Sequence, residues 1–243
     1  MESNNVHPVQ NILGRINEAA KRGDRSATNI TLVAVSKTRP IEDIVAAYEA
    51  GVRHFGENRT KELAEKAAAL SHLPDIQWHF IGNLQTRQSE AVAEHANCFH
   101  AVDRIKIAEK LSTQLQKLDR TLPVFIEVNI SGEESKGGFE CADWENNQEQ
   151  RDTISHAMRS IAALPNILVR GLMTMAPWTA PEATVRDIFS RLRRLSEWLN
   201  SHFSERQATE LSMGMSGKDP VGDGLLLSFF NLQRNIHLYL LIK

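Results

Sequence analysis

Cysteine is scarce in this chain: Cys98 and Cys141 are the only two in 243 residues, far apart and outside any CxxC pattern. That usage excludes a disulfide framework and points to a reducing, cytoplasmic setting. An excess of either charge is also missing, with 28 Lys and Arg against 30 Asp and Glu. Nothing basic enough to attract nucleic acid or an anionic membrane is present. No apolar run approaches the roughly 20 residues of a membrane span. The amino-terminal MESNNVHPVQNILGRINEAAKRG lacks the continuous apolar stretch of a signal peptide.

Further absences bear on the fold. Neither a Pro/Gly/Ser-rich linker nor a composition break divides the chain, so residues 1–243 read as one domain, with 218–243 as a tail of different character. The fingerprint GxGxxG does not follow the first strand-like run, which removes the main argument for a dinucleotide-binding sheet. Nine histidines occur, yet none in HExxH or a comparable spacing. No metal ligand is therefore expected, and His54 and His79 read as hydrogen-bonded core groups.

What is present is alternation. Strand-like runs cover 30–36, 53–55, 76–81, 98–102, 122–130, 168–175 and 209–213, and amphipathic helical periods lie between them. Ile41, Ile44, Val45 and Tyr48 recur at helical spacing, as do Val185, Ile188, Phe189 and Leu192. Strand–helix repetition of this kind makes a parallel sheet with helices outside, either open or closed as a (β/α)8 barrel. The missing fingerprint favours the barrel. So do the strand faces: Thr31, Val33, Val35 and Lys37 share one side of the first strand, and Phe125, Glu127 and Asn129 one side of the fifth.

Barrels of this class place their chemistry at the carboxyl ends of the strands. Here those ends carry Lys37, Glu57 and Asn58, Gly82 and Asn83, Asp103, Asn129, Thr174 and the segment SMGMS, 212–216. A lysine at a desolvated strand end can form a Schiff base with a carbonyl compound. The alternatives are an amine that reaches solvent or pairs with Glu57. The Gly/Ser cluster at 212–217 could expose backbone N–H groups and hydroxyls to a phosphate. A Schiff-base lysine facing a phosphate cradle suggests pyridoxal 5′-phosphate. Glu127 and Arg170 read as an internal ion pair. Lys136 reads as a solvated loop charge, or else as a second amine at the mouth, and Met173, Met175 and Trp178 as packing.

Seven ordered segments then carry a family resemblance: LVAVSKTRP (32–40), HFGENR (54–59), WHFIGNLQ (78–85), VNISGEESKGG (128–138), RGLMTMAP (170–177), RDIF (186–189) and LSMGMSG (211–217). Over roughly residues 10–217 the chain resembles the YggS/PROSC family of pyridoxal phosphate homeostasis proteins. That resemblance implies the barrel of fold-type III enzymes such as alanine racemase, with Lys37 carrying pyridoxal 5′-phosphate through a Schiff base. It also implies that Asn58 stands beside the cofactor and that Ser212, Gly214, Met215 and Ser216 belong to its phosphate-binding segment. The implied protein is a cytoplasmic monomer that holds the cofactor and delivers it to apoenzymes. A racemase-like amino-acid enzyme on the same barrel is the alternative.

The resemblance stops after about residue 217. The family continues with an Arg-Ile-Gly segment on its last strand, whereas this chain reads GKDPVGDGLLLSFFNLQRNIHLYLLIK. HLYLLI (237–242) is then the candidate replacement strand, without which the first and seventh strands would keep open edges. LLLSFF (225–230) would be an exposed, aggregation-prone run. A smaller departure, Thr86, Arg87 and Gln88 after LQ, keeps a positive charge nearby.

Overall fold

β-Branched and aromatic runs become strands because their side chains pack on both faces of a covered parallel sheet. The computed structural model describes residues 8–24, 26–177, 180–202, 208–216 and 236–241. Its strands are β1 (Ile30–Val35), β2 (His54–Glu57), β3 (Gln77–Phe80), β4 (Cys98–Val102), β5 (Leu122–Asn129), β6 (Phe139–Glu140), β7 (Ile167–Pro177), β8 (Glu210–Ser216) and β9 (Ile236–Leu241). The helices are α1 (Pro8–Arg22), α2 (Ile41–Glu49), α3 (Thr60–Ala69), α4 (Ser89–His95), α5 (Ile105–Lys117), α6 (Gln148–Ala162) and α7 (Glu182–His202).

Neighbouring strands run in the order β4-β3-β2-β1-β9-β8-β7-β5-β6, and β4 also pairs with β5. That second pairing closes eight strands into a barrel, with two-residue β6 laid parallel along the end of β5. β9 fits between β8 and β1: Ile30 to Val35 lie opposite Ile236 to Leu241, and Leu211 to Met213 opposite Ile236 to Leu238. The replacement strand thus does the closing, one residue earlier than the 237–242 reading. The apolar run 225–230 lies outside the described residues.

Helices α2 to α7 connect successive strands and cover the sheet. α7 buries Val185, Ile188, Phe189, Leu192, Leu195 and Leu199, a stripe at three- and four-residue spacing. α2 begins after Pro40 and ends at Gly51, whose φ of +104° suits a residue without Cβ. Ile41 departs from its expected role: Ile44 is buried, but Ile41 in the first turn stays exposed.

Inside the barrel, Val33 and Val35 pack with Ile81 as a small cluster distinct from the sheet–helix core. The expected Glu127–Arg170 pair does not form. Arg170 sits in a bulge of β7, between Val169 opposite Val124 and Gly171 opposite Phe125, and bonds Glu210 instead. Glu127 pairs in register with Met173, farther toward the carboxyl end. Met173 is buried and Met175 packs against the core, as expected; Trp178 lies outside the described residues.

Candidate functional site

The carboxyl mouth is built from a turn, a cover loop and an open strand edge. β1 ends at Val35, and the chain turns through Ser36–Arg39, closed by Arg39 N–H donating to the Ser36 carbonyl at 3.0 Å. Thr38 holds a φ of +61°, an uncommon conformation for a β-branched residue. Its N–H donates to Glu62 Oε2 at 2.8 Å, which ties the turn to α3. Ser36 donates its hydroxyl to Glu57 Oε1 at 2.6 Å. Lys66 Nζ completes the clamp, donating to Glu57 Oε1 at 2.7 Å, to the Ser36 carbonyl at 2.8 Å and to Glu62 Oε2 at 3.2 Å.

This network removes one reading of Lys37, the ion pair with Glu57. The cation that pairs with Glu57 is Lys66, not Lys37. Burial pushes the Glu57 carboxyl upward, against the pull of Lys66 and Ser36. Glu62 goes the other way: burial would raise it, but the Thr38 N–H and Lys66 outweigh that and lower it. Lys37 itself is half-buried, and no hydrogen bond or ion pair engages its amine among the described residues. The rest of the polar ring is largely committed. Asp103 accepts two 2.6 Å bonds from Arg104, and Thr174 donates to the Val128 carbonyl at 2.7 Å.

Asn129 organises the cover. Its Nδ2 donates to the Glu133 carbonyl and to Glu140 Oε2, and its Oδ1 accepts from the Gly132 N–H and the Ser131 hydroxyl. These bonds fold 131–140 back onto the end of β5. There a Cβ on Gly138 would stand 2.7 Å from the Glu127 carbonyl oxygen. Lys136 is carried inward and is 17% exposed, not solvated as a loop charge would be. Glu127, buried, with Oε2 lacking a hydrogen-bond partner among the described residues, is pushed up to about 7 by desolvation and by Asp103, with Lys136 opposing.

Asn58 is exposed immediately after β2, and Gly82 lets the two loops touch: a Cβ there would lie 2.4 Å from the Asn58 carbonyl oxygen. The Gly/Ser segment continues the strand expected at 209–213. β8 runs through Ser216, and Gly214, Met215 and Ser216 sit opposite Met175, Ala176 and Pro177 of β7. Pairing with β9 covers only Leu211–Met213, so the other edge of Gly214–Ser216 is outside that ladder among the described residues. Ser212 is placed lower, fully buried in the barrel, with its Oγ 3.0 Å from His100 Nδ1. Lys37, Asn58 and Gly214–Ser216 therefore share the carboxyl rim, while Ser212 is a core group.

The site is thus the carboxyl mouth of a closed parallel barrel, with the Lys37 amine at the end of the first strand and without a partner among the described residues. The family model described as alanine racemase, N-terminal domain, matches residues 12–220. A pyridoxal phosphate homeostasis protein of Pseudomonas aeruginosa is 39% identical over 218 residues, 89% of this chain and 88% of that relative. The Escherichia coli protein of that name is 36% identical over 193 residues, 79% and 77% of the two chains. Among solved structures, PipY of Synechococcus elongatus, described with pyridoxal phosphate bound, superposes with a TM-score of 0.73 at 30% identity, covering 92% of this chain and 97% of its own. An alanine racemase of Clostridium difficile shares the fold at 14% identity, with a TM-score of 0.62 over 94% of this chain and 55% of the racemase. The chain belongs to the pyridoxal phosphate homeostasis family, on an alanine racemase-type barrel.

Proposed function

We propose that this chain binds pyridoxal 5′-phosphate covalently through Lys37 and acts in pyridoxal phosphate homeostasis, as a holder that passes the cofactor to apoenzymes. The observation that carries the reading is the Lys37 amine: it stands at the carboxyl mouth without a partner among the described residues, because Lys66 has taken the ion pair with Glu57. The cofactor's aldehyde condenses with an amine, with loss of water, so an uncommitted amine is what the chemistry requires. Asn58 and the open edge of Gly214–Ser216 are the rim groups nearest that role, the latter supplying backbone donors for the phosphate. Ser212, held by His100, supports the segment from below.

The setting is reducing and cytoplasmic in this reading, consistent with two buried free cysteines. No described helix is long and apolar enough to cross a membrane. The protein works as a monomer, exposing the mouth to acceptor enzymes.

The test is addition of pyridoxal 5′-phosphate, borohydride reduction and peptide mass mapping of the wild type and Lys37→Ala. One equivalent of reduced adduct on Lys37, absent from the variant, is expected. Adducts scattered over surface lysines, or none on folded protein, would overturn the assignment. Exchange of an amino-acid α-proton into deuterated solvent, dependent on Lys37, would instead indicate a racemase-like catalyst.

A further inference from the structure

At the opposite end of the barrel the sheet gathers histidines, of which the function above uses only His100, as the hold on Ser212. Thr28 and Asn29, which precede β1, and Gln77, at the start of β3, line a cavity of about 340 Å³ at the amino-terminal mouth. His54, His79, His237, Arg170 and Glu210 line it too, and His100 stands beside His79 behind them.

We infer that His79, His100 and His237 form a binding site for one divalent transition-metal ion of the zinc type. Each ring offers a nitrogen such that all three lie within 4.8 Å of one another. Each ring also has its other nitrogen anchored by a different group. His237 Nε2 is 3.1 Å from Glu210 Oε2, His100 Nδ1 is 3.0 Å from Ser212 Oγ, and His79 Nε2 is 2.9 Å from His54 Nδ1. Such outer contacts fix the ring orientation of metal-binding histidines, the carboxylate–histidine pair being the commonest form.

Of the remaining nitrogens, His79 Nδ1 and His100 Nε2 meet at 2.7 Å, and His237 Nδ1 is buried with no hydrogen-bond partner among the described residues. A buried orphan nitrogen is costly unless something completes it. Metal–nitrogen bonds of about 2.0–2.1 Å separate tetrahedral ligand atoms by about 3.4 Å. The pair at 2.7 Å would open by well under an ångström and the third ligand would close in. Three imidazoles suit zinc, cobalt, nickel or copper rather than magnesium or calcium. The cavity supplies an entry path, and the ligands sit on the adjacent strands β3 and β4 and on β9, separated from β3 by β2 and β1 round the ring.

The competing reading is a hydrogen-bonded core chain, His54–His79–His100–Ser212, with no ion. Cobalt(II) titrated into the chelator-treated full-length protein separates the two. One equivalent is expected to develop the visible d–d bands of an imidazole-ligated site and to be displaced by zinc. His237→Ala should weaken binding at least tenfold, and Glu210→Gln, which alters the outer contact to His237 along with the bond to Arg170, about 10- to 100-fold. Lys37→Ala should retain the cobalt signal, which distinguishes this site from chelation at the cofactor-binding mouth. Absence of a stoichiometric signal from natively folded wild type would overturn the inference, as would an undiminished signal in His237→Ala. Should the variants unfold, X-ray absorption of the wild-type zinc complex decides: three imidazole nitrogens support the site, and a shell of oxygen or of fewer imidazoles refutes it.

Discussion

Glu127 shows how a single side chain can make stability depend on pH. A carboxyl raised to about 7 in the fold, against about 4.3 unfolded, binds its proton more tightly in the native state. Native stability from this group is therefore fully present below pH ~4 and is lost as pH rises through about 7. Glu127→Gln keeps the shape and removes the charge. Against wild type, the variant should be relatively more stable at pH 8 than at pH 4, by roughly 3–4 kcal/mol. Urea unfolding of both proteins at the two pH values checks this, and equal differences at both would refute it. The pattern of alternating inward residues in β5 made Glu127 visible in the sequence as an interior acid. Its neighbours were not visible, because Lys136 reaches it only after Asn129 has folded the intervening loop back.

The elements were largely legible, since hydrophobic periods of two and of 3.6 residues alternate and each strand needs its own buried face. β1, β4 and β5 fall within one residue of their expected ends, whereas β8 runs three residues farther because β7 continues beside it to Pro177. The clamp under Lys37 was not legible. Lys66 lies at mid-helix on α3, where a lysine ordinarily reads as solvated, and only helix docking brings it under Ser36. Lys66→Ala should leave a buried, uncompensated Glu57 and cost about 3–5 kcal/mol. Denaturant titration measures the loss, and a change below 1 kcal/mol would contradict the clamp. The grouping of His79, His100 and His237 escaped the sequence for a similar reason: only the closed ring brings β9 to β3 and β4, so no ligand spacing announces it.

At the scale of the molecule, the barrel depends on β9, whose residues pair with β1 along all six of its positions. A chain ending before Ile236 should expose the edges of β1 and β8, lose its cooperative melting transition and bind hydrophobic dyes. Calorimetry and size-exclusion chromatography would show it, and an unchanged, sharp transition would mean that β9 is dispensable. The same closure has a bearing on biosynthesis. The strand that seals the ring against β1 follows β2 to β8 in the chain, so the first strand must wait through the synthesis of all of these for its neighbour. Contacts so distant in sequence form slowly, and an incomplete ring has sticky edges meanwhile. Yield in the cell should consequently be governed by chaperone supply and growth temperature more than by the stability of the finished fold.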